Sequence, residues 1–144
     1  MEASAALKGQ PIYRRARAVG INPNYWYPVF WADQLKSEDV VSVQVWETSI
    51  ALYRDANGGV NALANACPHK GVELHLGEVH GNNLVCPYHG WEFDTNGQCV
   101  NIPYFPKEQK LPCAQSQSYP TREAYGIIWV FPGEAGLAEQ QPLP

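Results

Sequence analysis

The sequence predicts an all-β protein whose antiparallel strands form a sandwich or small barrel. Three observations carry that expectation. Short β-branched segments with alternating polarity recur along most of the chain, and Gly, Pro and Asn punctuate them at close intervals. No stretch sustains the roughly ten to twelve residues of helical period that would mark a helix.

In chain order, the aromatic-rich segment from Asn22 to Leu35, NPNYWYPVFWADQL, reads as a strand entering the core, with ADQLKSED after it as a helical turn or loop. Val41 to Glu47 and Ser49 to Asp55 alternate and are β-branched, so both are expected as strands. Asn57-Gly58 tolerates positive φ at both central turn positions and predicts a tight hairpin into the return strand VNALAN. Two short strands are expected around HGNN, and the DTNG turn joins strands on either side of it. The proline-rich PYFPKEQKLPCAQSQ reads as a surface loop, and SYPTREAYGIIWVFP supplies two last strands. Three regions follow: a basic arm over 1–20, a domain over 21–133, and a linker-like tail over 134–144.

Composition excludes several classes. The longest apolar run, Gly126 to Phe131, falls far short of the ~20 residues of a membrane helix, so no membrane span is expected. The start carries its positive charges after small residues and has no apolar h-region, which argues against an export signal and for the cytoplasm. The net charge of −4 is uneven: Lys8, Arg14, Arg15 and Arg17 face only Glu2 in the arm. A basic arm on an acidic body does not make the basic face that nucleic acid requires. Four cysteines (Cys67, Cys86, Cys99 and Cys113) would suggest disulfides in a secreted domain, but nothing indicates secretion.

The chemistry lies in two near-copies, CPHKGVEL from Cys67 and CPYHGWEF from Cys86. Each offers one cysteine, one histidine and a glycine straight after. Thiolate and imidazole suit zinc, copper or iron–sulfur centres and are poor ligands for calcium or magnesium. A zinc finger usually groups its cysteines and its histidines separately, whereas here each half-site mixes them. The spacing is Cys67-Pro68-His69, sixteen residues, then Cys86-Pro87-Tyr88-His89.

That spacing resembles the Rieske iron–sulfur domain, from about Asn24 to Pro132. The resemblance implies that family's antiparallel Rieske-type fold with two cluster-binding hairpin loops. It also implies one [2Fe–2S] cluster, with Cys67 and Cys86 on the inner iron and His69 and His89 on the outer iron. Gly71 and Gly90 would let backbone N–H groups approach the sulfurs. Neutral imidazoles in place of two thiolates raise the potential. In the high-potential members each loop carries an extra cysteine, at the positions of Val72 and Tyr88 here, and a serine stands where Trp91 does. Their absence implies a midpoint near the low end of the Rieske span of about −150 to +300 mV.

His75 and His80 have the His-x4-His spacing of the family's mononuclear iron motif, but Val72 stands where that motif needs an acid or amide. They are expected as surface or turn histidines. Cys99 and Cys113 are expected as plain thiols, with a bridge between them left open. NPNYWYPV and WVFPG resemble the entry and exit strands of the N-terminal domain of Rieske-type oxygenases. The resemblance therefore implies one-electron transfer as part of an oxygenase, this chain having no mononuclear iron site of its own. The electron would come from a reductase or ferredoxin and pass to an oxygenase iron in another domain or subunit. A free-standing Rieske ferredoxin is the alternative, and a zinc-stabilised binding module belongs to a different class.

Overall fold

The computed structural model describes residues 22–68, 71–106, 111 and 115–144. Among them the fold is almost entirely antiparallel β-structure with three short 3-10 helices. Strands β1 (Tyr27–Trp31), β2 (Val40–Val45), β3 (Thr48–Arg54) and β4 (Val60–Ala64) come first. After the first cysteine turn come β5 (Glu78–His80) and β6 (Asn83–Val85), then β7 (Glu92–Phe93) and β8 (Cys99–Asn101). The chain ends with β9 (Ser118–Tyr119), β10 (Thr121–Ala124) and β11 (Ile127–Val130). The last region therefore carries three strands rather than two, because Pro120 interrupts what reads as one.

Three sheets result, ordered β1-β11-β10, β2-β3-β4-β9 and β5-β6-β7-β8. The first two face one another over Leu35, Val43, Ile50, Leu52, Ile128 and Val130. Strand β3 is buried on both faces, Ile50 through Tyr53 being inaccessible, so the other face of its sheet builds a second core. That core, with Tyr53, Leu63, Leu74, Leu84 and Phe93, also contains Cys67 and Cys86. The all-β expectation holds, and the third sheet with the second core positions the cysteines.

Two local readings change. The β3–β4 turn is not a two-residue type I′ hairpin: Gly58 alone adopts positive φ (87°), and Asn57 does not. The buried Asp55 carboxylate accepts the N–H groups of Asn57 (2.9 Å) and Gly59 (3.0 Å) and so organises a longer loop. An Asx side chain that captures its own turn overrides the dipeptide preference. Residues 134–144, expected as a linker-like tail, instead fold back on the body. Ala135–Gln140 forms a 3-10 helix with Ala138 buried. The Trp26 indole N–H donates to the carbonyls of Ala138 (3.2 Å) and Gln141 (2.9 Å), and Trp129 and Phe131 complete this small third core.

The guanidinium of Arg54 ties the sheets together. It donates to the carbonyls of Leu35 (2.6 Å), Ala32 (3.0 Å) and Gly58 (2.7 Å) and pairs with Glu123 on β10 (2.6 Å).

Candidate metal centre

Both cysteine stretches share the local sequence Cys-Pro-x-x-Gly, and the backbone closes on itself identically in each. The N–H of Gly71 donates to the Cys67 carbonyl (2.7 Å), and that of Cys67 to the Val72 carbonyl (2.7 Å). In the second stretch the Gly90 N–H donates to the Cys86 carbonyl (3.1 Å), and the Cys86 N–H to the Trp91 carbonyl (2.8 Å). Gly71 and Gly90 sit at φ 72° and 73°, a left-handed conformation in which an L side chain is strained. Proline at the second position fixes φ where the turn begins.

These turns place Cys67 and Cys86 at the same point of the same device, each 1% exposed and in one buried cluster of side chains. His89, three residues after Cys86, is exposed. Its ring stacks on that of Tyr88, with centroids 4.0 Å apart and an interplanar angle of 20°, and meets Tyr104 edge-on at 6.1 Å. Tyr104 is held in turn by the Trp91 indole N–H (2.9 Å). Trp91, which closes the second turn through its carbonyl, is buried. His69 lies outside the described residues. Three of the four ligands expected from sequence are thus placed, the thiols inward and an imidazole outward. No group of three or more His, Cys, Asp or Glu gathered for a metal ion is found among the described residues, a set that excludes His69.

The donor set fits a two-metal centre with soft and borderline ligands. Two buried thiols suit a metal kept from water, and an exposed imidazole suits one facing solvent. Cys99 is also buried and in no disulfide, on β8. Burial raises its thiol pKa, its strongest influence, so it stays protonated. Cys113 lies outside the described residues.

The other two histidines separate. His80 is exposed and pairs with Glu78 (3.2 Å), as expected of a surface residue. His75 is not a plain surface histidine. It sits on the 3-10 helix Leu74–Leu76, partly buried, with Nδ1 2.9 Å from the Asn65 amide nitrogen and 3.4 Å from the Glu73 carboxylate. Asn65, Tyr104 and their contacts went unnoticed in the sequence. Asn65 stands two residues before Cys67, the one signal that could draw attention to it.

Comparison with known proteins points to one family. The family model for the Rieske [2Fe-2S] domain matches residues 25–120. A 4beta-methylsterol monooxygenase of Methylococcus capsulatus is 43% identical over 136 residues, covering 93% of this chain and 37% of that protein. The oxygenase component of chloroacetanilide N-alkylformylase from Rhizorhabdus wittichii is 36% identical, over 80% of this chain and 32% of its own length. The crystal structure of apo dicamba monooxygenase superposes with a TM-score of 0.74 at 37% identity, over 81% of this chain and 35% of that one. The chain spans about a third of the length of these relatives.

Proposed function

This chain belongs to the Rieske [2Fe–2S] domain family, and on that premise we propose that Cys67 and Cys86 ligate one iron of the cluster while His69 and His89 ligate the other. The carrying observation is the pair of matched turns, which set two buried thiols in one core and an imidazole at the surface. When bound, the cluster takes up and releases one electron. The chain's own residues arrange access to it. The thiols lie where the second core excludes water, so the sulfur side is insulated. His89 lies at the exposed face and offers the path for exchange with a partner. Tyr88 and Tyr104 bracket its ring and restrict its motion.

In this reading the domain is the electron-transfer part of a Rieske-type oxygenase. A reductase or ferredoxin supplies the electron, and an oxygenase iron in another domain or subunit receives it. The domain is taken as 21–133, after the basic arm of 1–20 and before the docked tail of 134–144. A cytoplasmic location belongs to the same proposal, checked by cell fractionation. No helix among the described residues is long and apolar enough to cross a membrane.

Purified protein should be red-brown, contain iron and inorganic sulfide in equal amounts, and titrate near the low end of about −150 to +300 mV. Colourless protein holding zinc would overturn the cluster assignment. A midpoint well above zero would overturn the comparison of the two turns with the low-potential branch.

A further inference from the structure

Resting on the cluster reading above, we propose that Asn65 is a positioning residue for the first ligand turn, fastening the chain that enters at Cys67 to the chain that leaves at His75. Asn65 is one of three buried polar residues among those described, and it is 6% exposed. Of the other two, Asp55 closes its own turn, and the Ser116 hydroxyl donates to the Ala64 carbonyl on β4 (3.3 Å). Asn65 reaches across three elements. Its Oδ1 accepts the backbone N–H of His75 (2.9 Å), and its own backbone N–H donates to the Ser49 carbonyl on β3 (3.0 Å). Its Nδ2 lies within reach of Ser49 Oγ (3.1 Å), Ser42 Oγ on β2 (3.3 Å) and His75 Nδ1 (2.9 Å).

The need for such a brace follows from topology. The second turn sits between paired strands, with Val85 opposite Glu92 and Leu84 opposite Phe93. Among the described residues the first turn has no such ladder. It follows β4, whose neighbours are β3 and β9, and runs into the 3-10 helix Leu74–Leu76. Beyond the closing bond from the Cys67 N–H to the Val72 carbonyl, no strand ladder joins its two stems among the described residues, and the Asn65 carboxamide links them further out. Without it the His75 N–H loses its acceptor. The Cys67 turn is then free to shift against the Cys86 turn, and both must meet one rigid cluster. Groups bonded directly to a metal ligand typically matter by 10–100-fold in metal affinity or activity, and Asn65, acting one step further out through the chain, is expected at the lower end of that range.

The test compares the cluster-loaded chain with Asn65→Ala, Asn65→Asp and a control, Asn83→Ala. Asn83 donates to Glu92 (2.7 Å) at the base of the second turn. The readouts are the rate at which a chelator bleaches the visible band, the EPR signal of the reduced protein, and thermal unfolding followed by far-UV circular dichroism. Asn65→Ala should bleach about tenfold faster than wild type, with a broadened EPR signal. Asn65→Asp keeps the acceptor for the His75 N–H, and both serine hydroxyls can turn to donate to it, so it should recover most of the lifetime. Asn83→Ala should behave as wild type. The proposal is overturned if Asn65→Ala bleaches at the wild-type rate, if Asn65→Asp is as poor as alanine, or if Asn83→Ala is equally damaging. Should Asn65→Ala fail to fold, Asn65→Asp decides: a long-lived cluster supports the brace, and a labile one overturns it. Wild-type protein without the cluster spectrum would overturn the reading beneath as well, and that outcome is visible before any variant is made.

Discussion

In the turn at 67–72 the chain arrives from β4 and departs into a 3-10 helix, whereas the turn at 86–91 is the tip between two paired strands, β6 and β7. Inside the turns the backbone hydrogen bonds correspond one for one. A Cys-Pro-x-x-Gly segment thus dictates its own closure, through the fixed φ of proline and the positive φ of glycine. What it does not dictate is how the turn is held to the rest of the molecule. Ladder bonds spread that task along the second turn's stems, while at the first turn the Asn65 carboxamide ties the entering chain to the His75 N–H. The histidines also differ in place: His69 is third in its turn and His89 fourth, with Tyr88 filling the third position beside it.

The largest expected effect concerns whether the two turns form one site at all. Cys67→Ser and Cys86→Ser should each abolish the visible band and the iron content, although they lie in turns with unlike supports. His89→Ala should do the same. A cluster that survived either serine variant with its spectrum intact would break the pairing of the turns.

A glycine series ranks next. A Cβ on Gly77 would collide with the backbone carbonyl of Val85, the residue before Cys86. A backbone atom cannot swing aside, so Gly77→Ala should cost about 3 kcal/mol or more and loosen the second turn. Within the turns, Gly71→Ala meets nothing within 4 Å and suffers only the left-handed strain of about 1–2 kcal/mol. Gly90→Ala bears the same strain and also crowds Pro103 Cγ at 3.2 Å. Thermal unfolding should rank them Gly77, Gly90, Gly71 from most to least damaging. A larger loss at Gly71 than at Gly90 would show that surroundings matter less than turn position.

The contrast between the turns also marks what was legible in the sequence. The strands from Val40 to Ala64 and the four ligand candidates carry short-range signals: alternation, a repeated motif and fixed spacing. The Asn65–His75 link was not legible, because nothing in either residue's neighbourhood names its partner across ten positions. The same holds for Trp91 with Tyr104 and for Trp26, whose indole finds the carbonyls of Ala138 and Gln141 more than a hundred residues away. The tail reads as a linker because it is small, polar and proline-capped, with Leu137, Ala138 and Leu143 offering no periodic apolar face. They pack only because a cleft lined by Trp26, Trp129 and Phe131 awaits them. The Asn57-Gly58 turn departs from its expected type for the opposite reason. A strong local preference was visible, and a neighbouring carboxylate outweighed it.

The smallest effect separates the supports of the two turns by pH. Tyr53 is inaccessible to solvent, and its hydroxyl donates to the Asn82 carbonyl (2.9 Å) in the β5–β6 turn that leads to the second ligand turn. Burial raises its pKa well above the ordinary value of 10.0, and the Asp55 and Asp94 carboxylates push the same way. The folded state therefore favours the protonated phenol. The resulting stability is fully present below about pH 10 and is lost as pH rises through the elevated folded value. Tyr53→Phe removes one hydrogen bond, a cost of about 1 kcal/mol at neutral pH. It also removes one ionisation, so stability should fall less steeply with pH above 10 in the variant than in wild type. Denaturant midpoints taken at pH 8 and pH 11 measure both effects. Because the ladder, and not this hydroxyl, holds the second turn, the chelator bleaching rate of Tyr53→Phe should match wild type. A rate as fast as that expected for Asn65→Ala would place part of the second turn's support in a side chain after all.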